Sequence, residues 1–203
     1  MQVRNSIHRW GWVSQLLHWA VVVLIGWLAW LGLTMVDMPI SVARINAYAL
    51  HKSLGLTLLM LVALRLAWRL FAGAPAPVPG TPTWQARIAG LPHVALYGLM
   101  FAMPLSGWLF NSAAGFPLQW FKQFNLPAIA GRDEALADMS LLVHRWGFWL
   151  LMLLIAAHAG AALYHHLIQR DDTLRLMLPV RLRGATTTPT TTADQGDSHG
   201  PVD

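Results

Sequence analysis

Four long apolar runs constrain this chain more than anything else in it. They cover roughly residues 15–36, 49–71, 92–110 and 140–168. A helix rises 1.5 Å per residue, so about 20 apolar residues cross the hydrocarbon core of a bilayer, and each run is close to that length. The rest of the composition agrees: 56% of the residues are hydrophobic, 11% are charged and mean hydropathy is +0.47, whereas a soluble domain carries roughly a quarter charged residues. The expected fold is all-α, a transmembrane four-helix bundle.

The connections are unequal. Between the second and third runs, Pro75, Pro77, Pro79 and Pro82 forbid a continuing helix and make a short, stiff link. Residues 111–139 form the one long loop, and its FPLQWFKQF segment reads as a helix lying at the membrane surface, anchored by aromatics. The organisation expected is one membrane domain over residues 1–180, followed by a disordered polar tail over 181–203, rich in Thr and poor in anything to bury. Arg4 and Arg9 precede the first run, which is too long for a signal-peptide core and lacks a small-residue cleavage site, so it reads as a retained helix.

With four spans both termini share a side. Nine cations fall there (Arg4, Arg9, Arg65, Arg69, Arg87, Arg170, Arg175, Arg181, Arg183) and five on the other (Arg44, Lys52, Lys122, Arg132, Arg145). The positive-inside tendency therefore puts both termini of this multi-pass chain in the cytoplasm. The formal charge of +5 serves this topology and is not a nucleic-acid footprint.

Polar side chains inside spans are costly and point to function. His18 lies near the cytoplasmic start of helix 1, His51 near the periplasmic start of helix 2, and His93 near the cytoplasmic start of helix 3, where it follows Pro92 and reads equally as an interfacial residue. His144 and His158, both on helix 4, are fourteen residues apart. Fourteen residues is nearly four turns, so the two imidazoles project within about 40° of each other and roughly 21 Å apart in depth. Helix 1 brings His18 to the level of His158, and helix 2 brings His51 to the level of His144. Single histidines such as His8, His166 and His199 read as interfacial.

Two opposed imidazoles suit the axial positions of a planar macrocycle, while a zinc site needs four tetrahedral ligands. Cysteine is absent, which excludes disulfides, iron–sulfur clusters and covalent CxxCH attachment. The expectation is bis-histidine haem in the bundle interior: two non-covalent haem b, one between His18 and His158, one between His51 and His144. Small residues near them (Gly55, Gly147, Ala156, Ala157, Ala159, Gly160, Ala161) leave room for a porphyrin.

The segments QLLHW, LHKSLG with LRLAWRL, HVALYGLMFAMPLSGWL and HAGAALYHHLIQRDDTLRLMLP, spread over residues 14–179, resemble the bacterial cytochrome b561 family. That resemblance implies four helices holding two b haems through the same histidine pairs, and a quinone-linked electron carrier. In its short stand-alone type it implies a superoxide oxidase that passes the electron to ubiquinone. On that reading Arg44, Lys52, Lys122 and Arg145 attract the superoxide anion, or else are ordinary interface cations. Ser14, His93 and His165 form a quinone headgroup site, or else His165 contacts a haem propionate. Two rival readings stay open: a cytochrome b subunit wiring a partner dehydrogenase or hydrogenase to the quinone pool, and a haem-free transporter or metal-binding bundle.

Overall fold

A computed structural model describes residues 3, 5, 10–73, 90–170 and 173–178. The proline-rich link beyond Gly73, the tail, and His8, His199, Arg4, Arg9, Arg87, Arg181 and Arg183 lie outside the described residues.

The four apolar runs are helices: α1 (Trp12–Met35), α2 (Val42–Ala72), α3 (Gly90–Ala113) and α4 (Glu134–Tyr164). All four are long and apolar enough to cross a membrane, with α4 continuing through a π-helical segment (His165–Gln169). Most of their large apolar side chains face outward, among them Trp27, Trp30, Leu64, Trp146 and Leu153, each more than half exposed. In water such a surface would aggregate; in lipid it is the ordinary exterior of a spanning bundle.

Helix α2 starts earlier than its apolar run. Ser41 caps it by accepting from the Arg44 N–H, and Arg44 and Asn46 then extend the helix into polar surroundings that an apolar count does not register. At the other end Gly73 takes a left-handed φ of 74° and its N–H closes on Arg69 O. Asp133 caps α4, accepting from the Leu136 N–H at 3.0 Å.

Between α3 and α4 the FPLQWFKQF segment is a hairpin, not the expected surface helix: β1 (Leu118–Trp120) pairs antiparallel with β2 (Phe124–Leu126). Pro117 and Pro127 bracket a stretch too short for a stable helix, and Phe121 and Lys122 both take positive φ, 48° and 61°, to make the turn. The hairpin sits on α2: buried Ser53 accepts from the Phe121 N–H at 2.9 Å and donates to Ala49 O, while Trp120 Nε1 donates to Thr57 Oγ1. This is the hairpin end of the bundle. At the opposite, terminal end a short α5 (Thr173–Met177) packs beneath α1, where Gln15 Nε2 donates to Leu176 O and Trp19 Nε1 to Met177 O.

The close helix pairs are α1 with α2, α2 with α3, and α3 with α4. Their common core is Val21, Ile25, Leu58, Val62, Leu96, Met100 and Leu151. Leu151 stands seven residues from both His144 and His158. Seven residues is almost two turns, so this apolar layer occupies the middle of the bundle and separates two imidazole levels.

Candidate haem sites

Each helix delivers its histidine by the same geometry. His144 and His158 share one face of α4, and that face looks toward α1 and α2. At the hairpin end the rings of His51 and His144 have centroids 6.3 Å apart and planes at 74°. At the terminal end the rings of His18 and His158 stand 6.5 Å apart at 69°.

Those separations are informative. Two imidazoles in line on one metal ion, with a metal–nitrogen bond of roughly 2.0 Å and each nitrogen about 1.15 Å from its ring centre, have centroids about 6.3 Å apart. Both pairs fit that distance. His93 also meets His158, edge to face, but at 5.4 Å, too close for a metal ion to stand in line between the rings. It is a packing neighbour of the pair at the terminal end.

The rings at the hairpin end are seated on glycines. A Cβ at Gly32 on α1 would come within 3.2 Å of His51 Cε1, and one at Gly107 on α3 within 3.2 Å of His144 Cε1. Pro104 interrupts the α3 ladder, and at this turn the Met103 carbonyl lies 2.9 Å from His144 Nδ1. A carbonyl only accepts, so Nδ1 carries the proton and Nε2 presents its lone pair to the interior. Ser106 Oγ, 3.0 Å from the same nitrogen, donates to Met103 O and steadies the arrangement. His51 has no such partner: its Nδ1 is buried without a hydrogen bond among the described residues. A Cβ at Gly55, one turn beyond His51, would meet nothing within 4 Å, whereas one at Gly147 would meet Met103 Sδ at 2.9 Å. Paired imidazoles at the separation of two ligands on one metal ion, with open space beside Gly55, fit a planar iron macrocycle. Among the described residues no cluster of three or more His, Asp or Glu is placed to hold a bare metal ion.

Three of the four cations expected to attract an anion make contacts at the hairpin end. Lys52 Nζ donates to Asn111 Oδ1 at 3.1 Å and to Pro117 O at 3.4 Å, Lys122 Nζ to Asn46 Oδ1 at 2.8 Å, and Arg44 lies 5.7 Å from the centre of the Tyr48 ring. These partners are neutral, so none of these contacts is an ion pair, although Asp37, Asp133, Glu134 and Asp138 lie at the same end of the bundle. Arg145 is exposed on α4, one residue from His144.

The candidate quinone residues are held in different surroundings. Ser14 is buried; its hydroxyl donates to Asn5 Oδ1 and accepts from Trp68 Nε1. His93 packs on His158, and His165 lies against Tyr164 at the start of the π-helical segment. Gly32, Gly107, Met103 and Ser106 escaped sequence reasoning. Pro104 gave no signal for them, because the carbonyl that its missing N–H leaves without a helical donor is that of Met100, four residues back, and not that of Met103.

The comparisons with known proteins decide the family. The prokaryotic cytochrome b561 family matches residues 9–180. This chain belongs to that family. Among its relatives is cytochrome b561 homolog 2 of Escherichia coli, 35% identical over 179 residues, covering 88% of this chain and 95% of the relative. Cytochrome b561 homolog 1 of the same organism is 35% identical over 132 residues, 64% of this chain and 74% of the relative. The probable superoxide oxidase CybB of Yersinia pestis is 27% identical over 165 residues, 80% of this chain and 92% of the relative. The chain is therefore a multi-pass membrane electron-transfer protein of the cytochrome b561 type, a family that implies b-type haem.

Proposed function

We propose that this chain carries single electrons inward across the bacterial inner membrane, from superoxide to ubiquinone. The observation that carries the reading is the pair of imidazole couples, 6.3 and 6.5 Å between centroids, at two depths of one bundle. Bound b-type haem would supply reversible one-electron chemistry at each couple. His51 and His144 hold the outer position, His18 and His158 the inner one, and the layer around Leu151 and Val62 keeps water from between them. Arg44, Lys52, Lys122 and Arg145 raise the arrival rate of a small anion at the outer end. Ser14, His93 and His165, at the inner end, are the candidates to hydrogen-bond a quinone carbonyl and pass it protons. Two superoxide ions give up two electrons and leave as dioxygen; one quinone takes those electrons with two protons. The excess of cations at the terminal end supports placing both termini in the cytoplasm.

A dithionite-reduced minus oxidised spectrum with a haem-to-protein ratio tests the first half of this reading: two haems per chain in the wild type, one in His158→Ala. A colourless protein sinks it. Stopped-flow mixing with superoxide tests the second half. Reduction near the rate of encounter supports a self-sufficient oxidoreductase, and slow reduction instead supports a carrier subunit fed by a partner dehydrogenase or hydrogenase.

A further inference from the structure

The fourteen-residue interval that separates the two histidines of α4 occurs a second time, on α2, between His51 and Arg65. The same periodicity that puts His144 and His158 on one face puts Arg65 on the His51 face, at the depth of the inner couple. Leu58 of the core layer stands midway, seven residues from each. The α2 face turned into the bundle thus carries a cation at the level where α4 carries His158.

Arg65 is not a snorkelling surface arginine of the kind that covers helix ends. Its Nε donates to Tyr97 Oη at 3.0 Å, with the guanidinium carbon 6.0 Å from the centre of that ring. One further nitrogen, Nη1, is buried and has no hydrogen-bond partner among the described residues. Tyr97 lies one turn beyond His93, which packs on His158, so the tyrosine ties the guanidinium to the inner couple. A cavity of about 10 Å³ adjoins it, lined also by Ser14, Trp68 and Arg69. The described carboxylates, Asp37, Asp133, Glu134 and Asp138, are all at the hairpin end. Arg69, a turn further out, faces the Trp10 ring at 5.8 Å.

A guanidinium is always charged, and a buried charge without a counter-ion is among the most costly groups a fold can hold. Its fork of N–H donors matches a carboxylate. We propose that Arg65, held by Tyr97, pairs with a propionate carboxylate of the haem seated between His18 and His158, fixing that haem's orientation and raising its potential. The inference rests on the haem assignment made above and deepens it. A lipid phosphate is the other anion with chemistry to fit the fork, and the test separates the two.

The full-length chain is purified with its haems as wild type, Arg65→Gln, Arg65→Lys and Tyr97→Phe. The readouts are spectroelectrochemical midpoints as a function of pH and the propionate bending band in resonance Raman. In Arg65→Gln the inner midpoint falls by the equivalent of about tenfold in the redox equilibrium, about 59 mV for one electron. It also becomes pH-dependent near neutrality, because a carboxylate without its cation takes up a proton more readily. The propionate band shifts, and the outer midpoint stays in place. Arg65→Lys keeps the charge but not the fork, so it keeps most of the potential and still shifts the band. Tyr97→Phe gives a smaller change of the same sign. If Arg65→Gln does not accumulate, the Raman band of Arg65→Lys decides. An unchanged propionate band, the result a lipid phosphate partner would give, overturns the inference, and so does an equal fall in both midpoints. A wild type whose haem content does not change in His158→Ala overturns the haem assignment itself; an intact inner haem indifferent to Arg65 overturns only this pairing.

Discussion

The imidazole of His144 rests directly on the backbone of Gly107, so closely that a methyl group there would lie 3.2 Å from its Cε1. Gly107→Ala must push the ring by a few tenths of an ångström, and a ring hydrogen-bonded to Met103 O has little freedom to yield. Overpacking of this kind costs roughly 1–3 kcal/mol. The expected result is lower occupancy of the outer haem alone, read as a haem-to-protein ratio falling from two toward one while the inner haem's absorption stays. Gly32→Ala, against His51, acts on the same haem.

Ligands and neighbours separate by substitution. On the proposed ligation, His144→Ala is expected to abolish the outer haem and spare the inner, and His18→Ala to do the reverse. His93→Ala retains both, because its 5.4 Å contact with His158 is packing. Loss of a haem in His93→Ala, read by pyridine haemochrome, would mean that the inner couple is drawn from the wrong helix.

Crossed ring planes make a magnetic prediction. If the two histidine pairs ligate haem as proposed, ring planes crossed at 69° and 74° would leave the two iron orbitals that they overlap nearly equal in energy. Low-spin ferric spectra of the strongly anisotropic class, with one very large g value, are expected from both haems in frozen-solution EPR. Rhombic spectra typical of parallel rings would contradict the geometry.

The hairpin turn carries strain next to charge. A non-glycine residue in the left-handed region costs about 1–2 kcal/mol, and Lys122 sits there at φ 61°. Lys122→Gly is expected to raise the resistance of the chain to thermal unfolding while lowering the rate with superoxide severalfold. Lys52→Glu should lower that rate further and flatten its dependence on ionic strength, since steering by exposed charge is what salt screens. A superoxide rate indifferent to both substitutions would remove the anion-steering role.

The spans and the histidine levels were legible because both depend on helical periodicity alone: His144 and His158 share a face of any helix that contains them. The hairpin was not. Nine residues of mixed aromatic and polar character fit either a short surface helix or a pair of strands, and what decides is long-range, the docking of Phe121 N–H and Trp120 Nε1 on Ser53 and Thr57. The glycine seats were hidden for the same reason. Gly32 and Gly107 touch histidines on other helices, so their role follows from inter-helix register. Arg65 reads in the sequence as one more cytoplasmic cation, whereas in the structure its half-buried guanidinium is held by Tyr97.

The α5 clasp has a consequence for how this end of the molecule tolerates change. Gln15 and Trp19 grip it by the main-chain oxygens of Leu176 and Met177, groups that every amino acid possesses. Substituting Leu176 or Met177 therefore leaves the grip intact provided the short helix persists, while a change that unwinds that helix withdraws both oxygens and frees the foot of α1.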